Sequence, residues 1–150
     1  MPPSKEHSNM EDSAALISVH PEYAEKIFSG KKRLEFRRRW TTRSVETLFI
    51  YATAPVQRIV GFAKIARVTQ GTPTQLWRLT RKVDGGISKS KLFAYFGCKR
   101  TGVAIELSKV TLMPGGIDPR LCLGRNFRPP QSFRYLSEKE ISQINASEKR

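Results

Sequence analysis

The sequence predicts an α+β fold in which short strands curl toward a barrel and short helices sit on its flanks. Three observations predict it. Residues 33–40 and 103–107 alternate apolar and polar side chains with a period of two, the mark of strands. Residues 56–68 carry apolar side chains on both faces around a central glycine, as a long strand bending within a curled barrel would. Between these runs, apolar residues recur at helical i, i+4 spacing. At 150 residues, 39% of them hydrophobic, the chain is the size of one domain with its own core and needs no disulfide staple.

Ala14 to His20 reads as a buried strand, stopped where Pro21 presets the first turn of a helix that runs to about Ser29. In that helix Tyr23, Ala24, Ile27 and Phe28 share a face, and Gly30 is the expected stop. The second strand, Arg33 to Trp40, sets Leu34, Phe36 and Trp40 on one side and Arg33, Glu35, Arg37 and Arg39 on the other, with Arg38 on the mostly apolar side. Thr47 to Thr53 and Val56 to Val68 give two further strands joined by a turn at Ala54-Pro55, the second bending at Gly61.

Thr72-Pro73-Thr74-Gln75 combines an N-cap, a proline at the first helical position and a glutamine three residues after the cap, so a short helix carrying Leu76, Trp77 and Leu79 begins there. After a flexible Asp84-Gly85-Gly86 turn, Ser88 caps a second short helix whose stripe is Leu92, Phe93 and Phe96, ended by Gly97. Val103, Ile105 and Leu107 alternate as a strand, then the phase slips to Val110 and Leu112, which predicts a bulge near Ser108. Pro114-Gly115-Gly116 interrupts the pattern, and an irregular stretch leads to a last helix from Ser137, where Glu140 completes a capping box. The expected organisation is a disordered lead over 1–13, one domain over 14–113, and a basic Arg/aromatic extension over 114–150 whose helix packs on the same domain.

Twenty-seven Lys and Arg stand against thirteen Asp and Glu, a formal charge of +14. Residues 1–13 contribute −2, residues 14–113 contribute +13 and residues 114–150 contribute +3. The excess thus belongs to the domain and not to a tail, which implies a polyanionic partner. A membrane surface fits poorly, because no segment has the apolar length of a transmembrane helix and no basic amphipathic helix stands out. Nucleic acid is favoured. The opening residues lack an apolar signal core, so no export is inferred and the cytoplasm is the expected compartment. Cys98 and Cys122 have neither metal-ligand spacing nor nearby histidines and are expected to pack as apolar residues. Trp40 and Trp77 are assigned to packing, and no metal site or cofactor is expected.

Gly30-Lys31-Lys32-Arg33-Leu34-Glu35-Phe36-Arg37 matches the pattern Gly, any, Lys, any, any, Glu, any, Arg at a helix-to-strand junction. With Ile17-Ser18-Val19-His20-Pro21-Glu22-Tyr23-Ala24 before it, and Ile50-Tyr51-Ala52-Thr53-Ala54-Pro55-Val56 and Ile59-Val60-Gly61-Phe62 after it, the chain resembles an ASCH domain over roughly residues 14–112. The resemblance implies a PUA-like β pseudobarrel of five to six mixed strands with three to four short flanking helices. It also implies a cleft beside the motif, in a family whose members bind RNA or are suspected of acting on it.

The residues support such a cleft independently. Arg37 and Arg39 share a strand face with Glu35, so fixed cations lie beside one carboxylate that orients them or accepts from a base amino group. The alternative is a purely structural Glu35–Arg37 ion pair. Lys32 precedes the strand, where parity does not set its direction; it is either a phosphate or proton-transfer group in the cleft or a solvated lysine. Tyr51 and Thr53 end the next strand and offer a stacking ring and a hydroxyl, although a tyrosine there is as readily core. Arg125 and Arg128 belong to a stretch that interleaves arginines with Phe127, Phe133 and Tyr135, either extending a single-strand footprint or tethering the segment. The candidate nucleic-acid contacts are Lys31, Lys32, Arg37, Arg38, Arg39, Tyr51, Thr53, Arg125 and Arg128. His20 is read as a capping or surface residue.

The leading expectation is a binding module that holds single-stranded RNA or a nucleotide beside the motif, with surrounding cations gripping phosphates; duplex DNA is a competing ligand. The alternative is an enzyme in which Lys32, Glu35 and Arg37 are catalytic. By resemblance it would be a metal-independent ribonuclease or an amidohydrolase of N4-acetylcytidine. The latter relatives carry threonine three residues after the motif lysine, where this sequence has Glu35.

Overall fold

The computed structural model describes residues 14–148; the expected lead over 1–13 lies outside the described residues. Six strands form one mixed sheet: β1 (Ala14–Val19), β2 (Leu34–Arg37), β3 (Thr47–Ala52), β4 (Arg58–Gly71), β5 (Gly102–Ile117) and β6 (Arg134–Tyr135), in the order β2-β5-β4-β3-β1-β6. β1 and β3 run parallel and the other neighbours antiparallel. β4 and β5 are long, and register shifts along their ladder bend them, so the sheet curls into a half-barrel. Helices α1 (Pro21–Phe28), α2 (Pro73–Arg78), α3 (Lys89–Phe96), α4 (Pro119–Cys122) and α5 (Glu138–Glu148) flank it.

The core has three parts, two of them because β1 and β3 are covered on both faces. Ile17, Leu48 and Ile50 pack with Ala24 and Ile27 of α1. Their neighbours Leu16, Phe49 and Tyr51 pack on the opposite side with Met113, Leu136 and Ile144 of α5. A third cluster joins Leu34 and Phe36 to Leu76 of α2 and to Leu92 and Phe96 of α3. Gly61 lets α1 approach the sheet, since a Cβ there would fall 2.5 Å from the Phe28 ring.

The capping signals act as the sequence predicts. Thr72 and Gln75 exchange both bonds of a capping box, and Ser88 Oγ accepts from the Lys91 N–H. Ser137 and Glu140 exchange theirs at 3.1 and 3.0 Å. Two strand ends differ from expectation. β2 stops at Arg37 and not at Trp40, because residues 38–46 leave the sheet. β5 continues through Pro114-Gly115-Gly116 to pair Ile117 with Ile59, the two glycines taking positive φ. Cys122 is buried as expected, but Cys98 is exposed just past the end of α3 and so does not pack.

Candidate functional site

Among the described residues, the buried charged side chains are Lys32, Glu35 and Arg37, at 3, 6 and 8% exposure. The Glu35 carboxylate is the hub. Its Oε2 accepts from Arg37 Nε at 2.9 Å and lies 2.9 Å from Nη2, while Oε1 faces Lys32 Nζ at 3.7 Å. Arg37 Nη2 also donates to the Ser18 carbonyl at 2.7 Å, and Nη1 reaches the Ser132 carbonyl at 3.4 Å, so this guanidinium ties β2 to β1 and to the C-terminal segment. Lys32 Nζ donates to the Gly85 carbonyl at 2.8 Å and lies 5.3 Å from the ring centres of Tyr23 and Phe36, close enough for cation–π attraction.

Local backbone explains why Lys32 points inward. Gly30, at φ 84°, ends α1, and the Lys31 and Lys32 N–H groups both donate to the Lys26 carbonyl, turning the chain into β2. The Asp84-Gly85-Gly86 turn then closes over the lysine: the Arg33 N–H donates to the Asp84 carbonyl at 2.6 Å. Gly86, at φ 66°, lies so near that a Cβ there would be 2.5 Å from Lys32 Cβ. Burial pulls the Lys32 ammonium below its usual pKa; Glu35 opposes that shift, and Arg37 and Lys26 add to it.

The three charges adjoin a cavity of about 560 Å³ open to solvent. Its walls are aromatic and apolar as well as charged: Tyr23 from α1, Phe36 from β2, Ile87 and Tyr95 around α3, with Lys91 and Gln131 also on the lining. An adjoining hollow of about 380 Å³ shares Arg37, Arg38, Tyr95 and Gln131 and adds Arg39 and Lys99. The Arg38 guanidinium lies 5.0 Å from the Tyr95 ring centre, and the Tyr95 hydroxyl accepts from the Arg38 N–H at 3.2 Å. Two cations against one carboxylate leave the buried cluster with a net positive charge when Lys32 is protonated. Among the described residues, no three His, Cys, Asp or Glu side chains gather as a metal site.

The structure thus brings Lys32, Glu35 and Arg37 together and sets Arg38 and Arg39 on the adjoining hollow. Glu35 and Arg37 lie on a shared face as parity predicts, but that face is almost wholly covered and meets solvent only at the cavity. Other expected contacts lie elsewhere. Tyr51 is buried in the second core cluster with its ring 5.4 Å from Phe127, because β3 has no solvated face. Thr53 is half-buried in the turn after β3, its N–H bonded to the Val19 carbonyl, and does not line the cavity. Lys31 is exposed and does not line it either. Arg125 and Arg128 line a separate hollow. Sequence reasoning missed Tyr23, Tyr95, Lys91 and Gln131, and His20 also borders the cavity. Nothing local distinguishes Tyr95 from a packing aromatic, since it immediately precedes the stripe residue Phe96.

Comparison with known proteins agrees with this architecture. Residues 17–110 match the ASCH domain family. A relative from Zymomonas mobilis, described as an ASCH domain-containing ribonuclease, is 33% identical over 132 residues, spanning 87% of this chain and 88% of the relative. The crystal structure of ASCH from Zymomonas mobilis superposes with a TM-score of 0.83 at 31% identity, covering 91% of this chain and 96% of that one. A hypothetical protein from Leishmania major shares the fold at 14% identity, with a TM-score of 0.50 over 94% of this chain and 97% of its own.

Proposed function

The chain belongs to the ASCH domain family, and from that premise we propose that it binds single-stranded RNA, holding one nucleotide in the cavity beside Lys32, Glu35 and Arg37. The observation that carries this reading is a buried charge cluster with one cation in excess, set on an open, aromatic-lined cavity. Burial of such a charge is costly unless it is compensated, and a phosphate would compensate it. The volume falls within the roughly 300–1,000 Å³ of small-molecule sites. The Tyr23, Phe36 and Tyr95 rings suit the flat face of a base, and Glu35 Oε1, 3.7 Å from Lys32 Nζ, suits an exocyclic amino group. Arg38, Arg39 and Lys99 then meet the flanking phosphates.

Fluorescence anisotropy with labelled single-stranded RNA tests this. The wild type is expected to bind, with affinity falling steeply as salt rises, and Tyr95→Ala to bind about tenfold more weakly from lost base stacking. Equal affinity at low and high salt, or no binding at low salt, ends the reading.

A second reading, ribonuclease action at the same site, is favoured by the relative described as a ribonuclease and by the lowered pKa of Lys32. Glu35 would take the proton of a ribose 2′-hydroxyl as that oxygen attacks phosphorus, and Lys32 would give a proton to the departing 5′-oxygen while Arg37 steadies the phosphorane charge. Incubation of labelled RNA with wild type and Lys32→Ala separates binding from cleavage: an intact substrate with the wild type removes the nuclease.

A further inference from the structure

We propose that Arg125, Arg128 and Arg134 form a second phosphate-binding site, separate from the cavity, which makes the ligand a chain several nucleotides long and not a lone nucleotide. The proposal rests on the RNA-binding reading above and deepens it.

The hollow they line is about 370 Å³, walled also by Leu123, Asn126 and Phe127, with no acidic residue on its lining. Arg134 is half-buried on its wall, with its side chain 35% exposed. The guanidinium is also fixed in place. Nη2 donates to Glu140 Oε2 at 2.5 Å, while Glu140 Oε1 accepts from the Ser137 N–H at 3.0 Å within the capping box of α5. The box therefore holds the guanidinium on the wall of the hollow. Arg125 and Arg128 are exposed on the same hollow, where two further guanidinium groups reach an anion.

The segment that carries these arginines also borders the cavity. The Pro130 carbonyl accepts from Ser18 Oγ at 2.8 Å, the Ser132 carbonyl accepts from Arg37, and Gln131 lines the cavity wall. Arg128 and Gln131 are three residues apart, so their Cα atoms are separated by at most about 11 Å. One RNA strand can therefore place a base in the cavity and a nearby phosphate among the arginines. Phe127, against the Tyr51 ring, anchors the strap at the hollow.

The test measures binding of a ribonucleoside monophosphate and of a single-stranded hexaribonucleotide to the wild type and to the double variant Arg125→Ala, Arg128→Ala. Both substituted side chains are exposed, so the variant folds. The expected result is unchanged affinity for the monophosphate, about tenfold weaker affinity for the hexanucleotide, and a salt slope shallower by about 1.4, as loss of two single-strand phosphate contacts requires. Arg134→Lys, which keeps a charge beside Glu140 but removes the planar guanidinium fork, should weaken the hexanucleotide alone. If the monophosphate binds and the variants hold the hexanucleotide as tightly as the wild type does, this second site is overturned while the cavity reading stands. If the wild type binds neither ligand, the cavity reading falls and takes this one with it.

Discussion

Glu35 holds Arg37 through one carboxylate oxygen, Oε2, which meets both Nε and Nη2 at 2.9 Å, and so leaves Oε1 facing Lys32 across 3.7 Å. One side chain therefore orients two buried cations. Removing it leaves both without a counterion in a poorly hydrated place, which costs about 3–5 kcal/mol in comparable buried pairs. Glu35→Ala should lose stability on that scale in urea unfolding, and Glu35→Gln less, since the amide oxygen can still accept from Arg37. A Glu35→Ala midpoint equal to that of the wild type would show that the pair holds nothing together.

The buried lysine gives stability a pH dependence of known sign. Because burial lowers its pKa from the usual 10.5, the unfolded chain binds that proton more readily than the folded one. Its contribution is complete above 10.5 and is lost as pH falls through the folded value. Tyr51 and Cys122, both raised by burial, pull the other way at alkaline pH. The readout is therefore the stability of wild type minus that of Lys32→Met. This difference should rise with pH through the window below 10.5; one that stays flat or falls contradicts the burial of the ammonium.

Gly86 supports the same lysine from outside. A methyl group there meets Lys32 Cβ at 2.5 Å on a residue at φ 66°, so Gly86→Ala strains the backbone and displaces Lys32 together. A loss of at least about 1 kcal/mol is expected from thermal unfolding, accompanied by weaker RNA binding. Undiminished binding would mean that Lys32 need not sit where it does.

Arg38 and Arg39 are exposed beside the adjoining hollow and carry little of the fold. If each meets a phosphate, Arg38→Ala with Arg39→Ala lowers the slope of log affinity against log salt by about 1.4 for single-stranded RNA. A titration series across salt concentrations reads this directly, and an unaltered slope places the phosphates elsewhere.

Much of this was legible in the sequence, and the exceptions share a cause. Period two in Leu34-Glu35-Phe36-Arg37 separated the apolar from the charged face correctly. It did not reveal that both faces are covered, because Ser18 of β1 and the strap at Pro130 to Ser132, which hold Arg37, come from other parts of the chain. Tyr51 was ambiguous for the same reason: α5 and Met113, which enclose it, are set by tertiary packing and leave no mark on β3. Caps at Thr72, Ser88 and Ser137 were readable since their chemistry is local. The run through Pro114-Gly115-Gly116 resembles a strand end, yet pairing with β4 carries β5 past it. Arg134 gave no signal beyond its place in an arginine-rich stretch, because its pairing with Glu140, six residues on, is set by how the last helix packs.

The most direct measurement is photocrosslinking of thiouridine-substituted single-stranded RNA, with the adducted peptides mapped by mass spectrometry. Adducts at Tyr23, Phe36 or Tyr95 are the predicted result, since those rings line the cavity against which the base is to lie. Adducts confined to residues away from that lining, with the cavity rings unmodified at saturating RNA, would contradict the account.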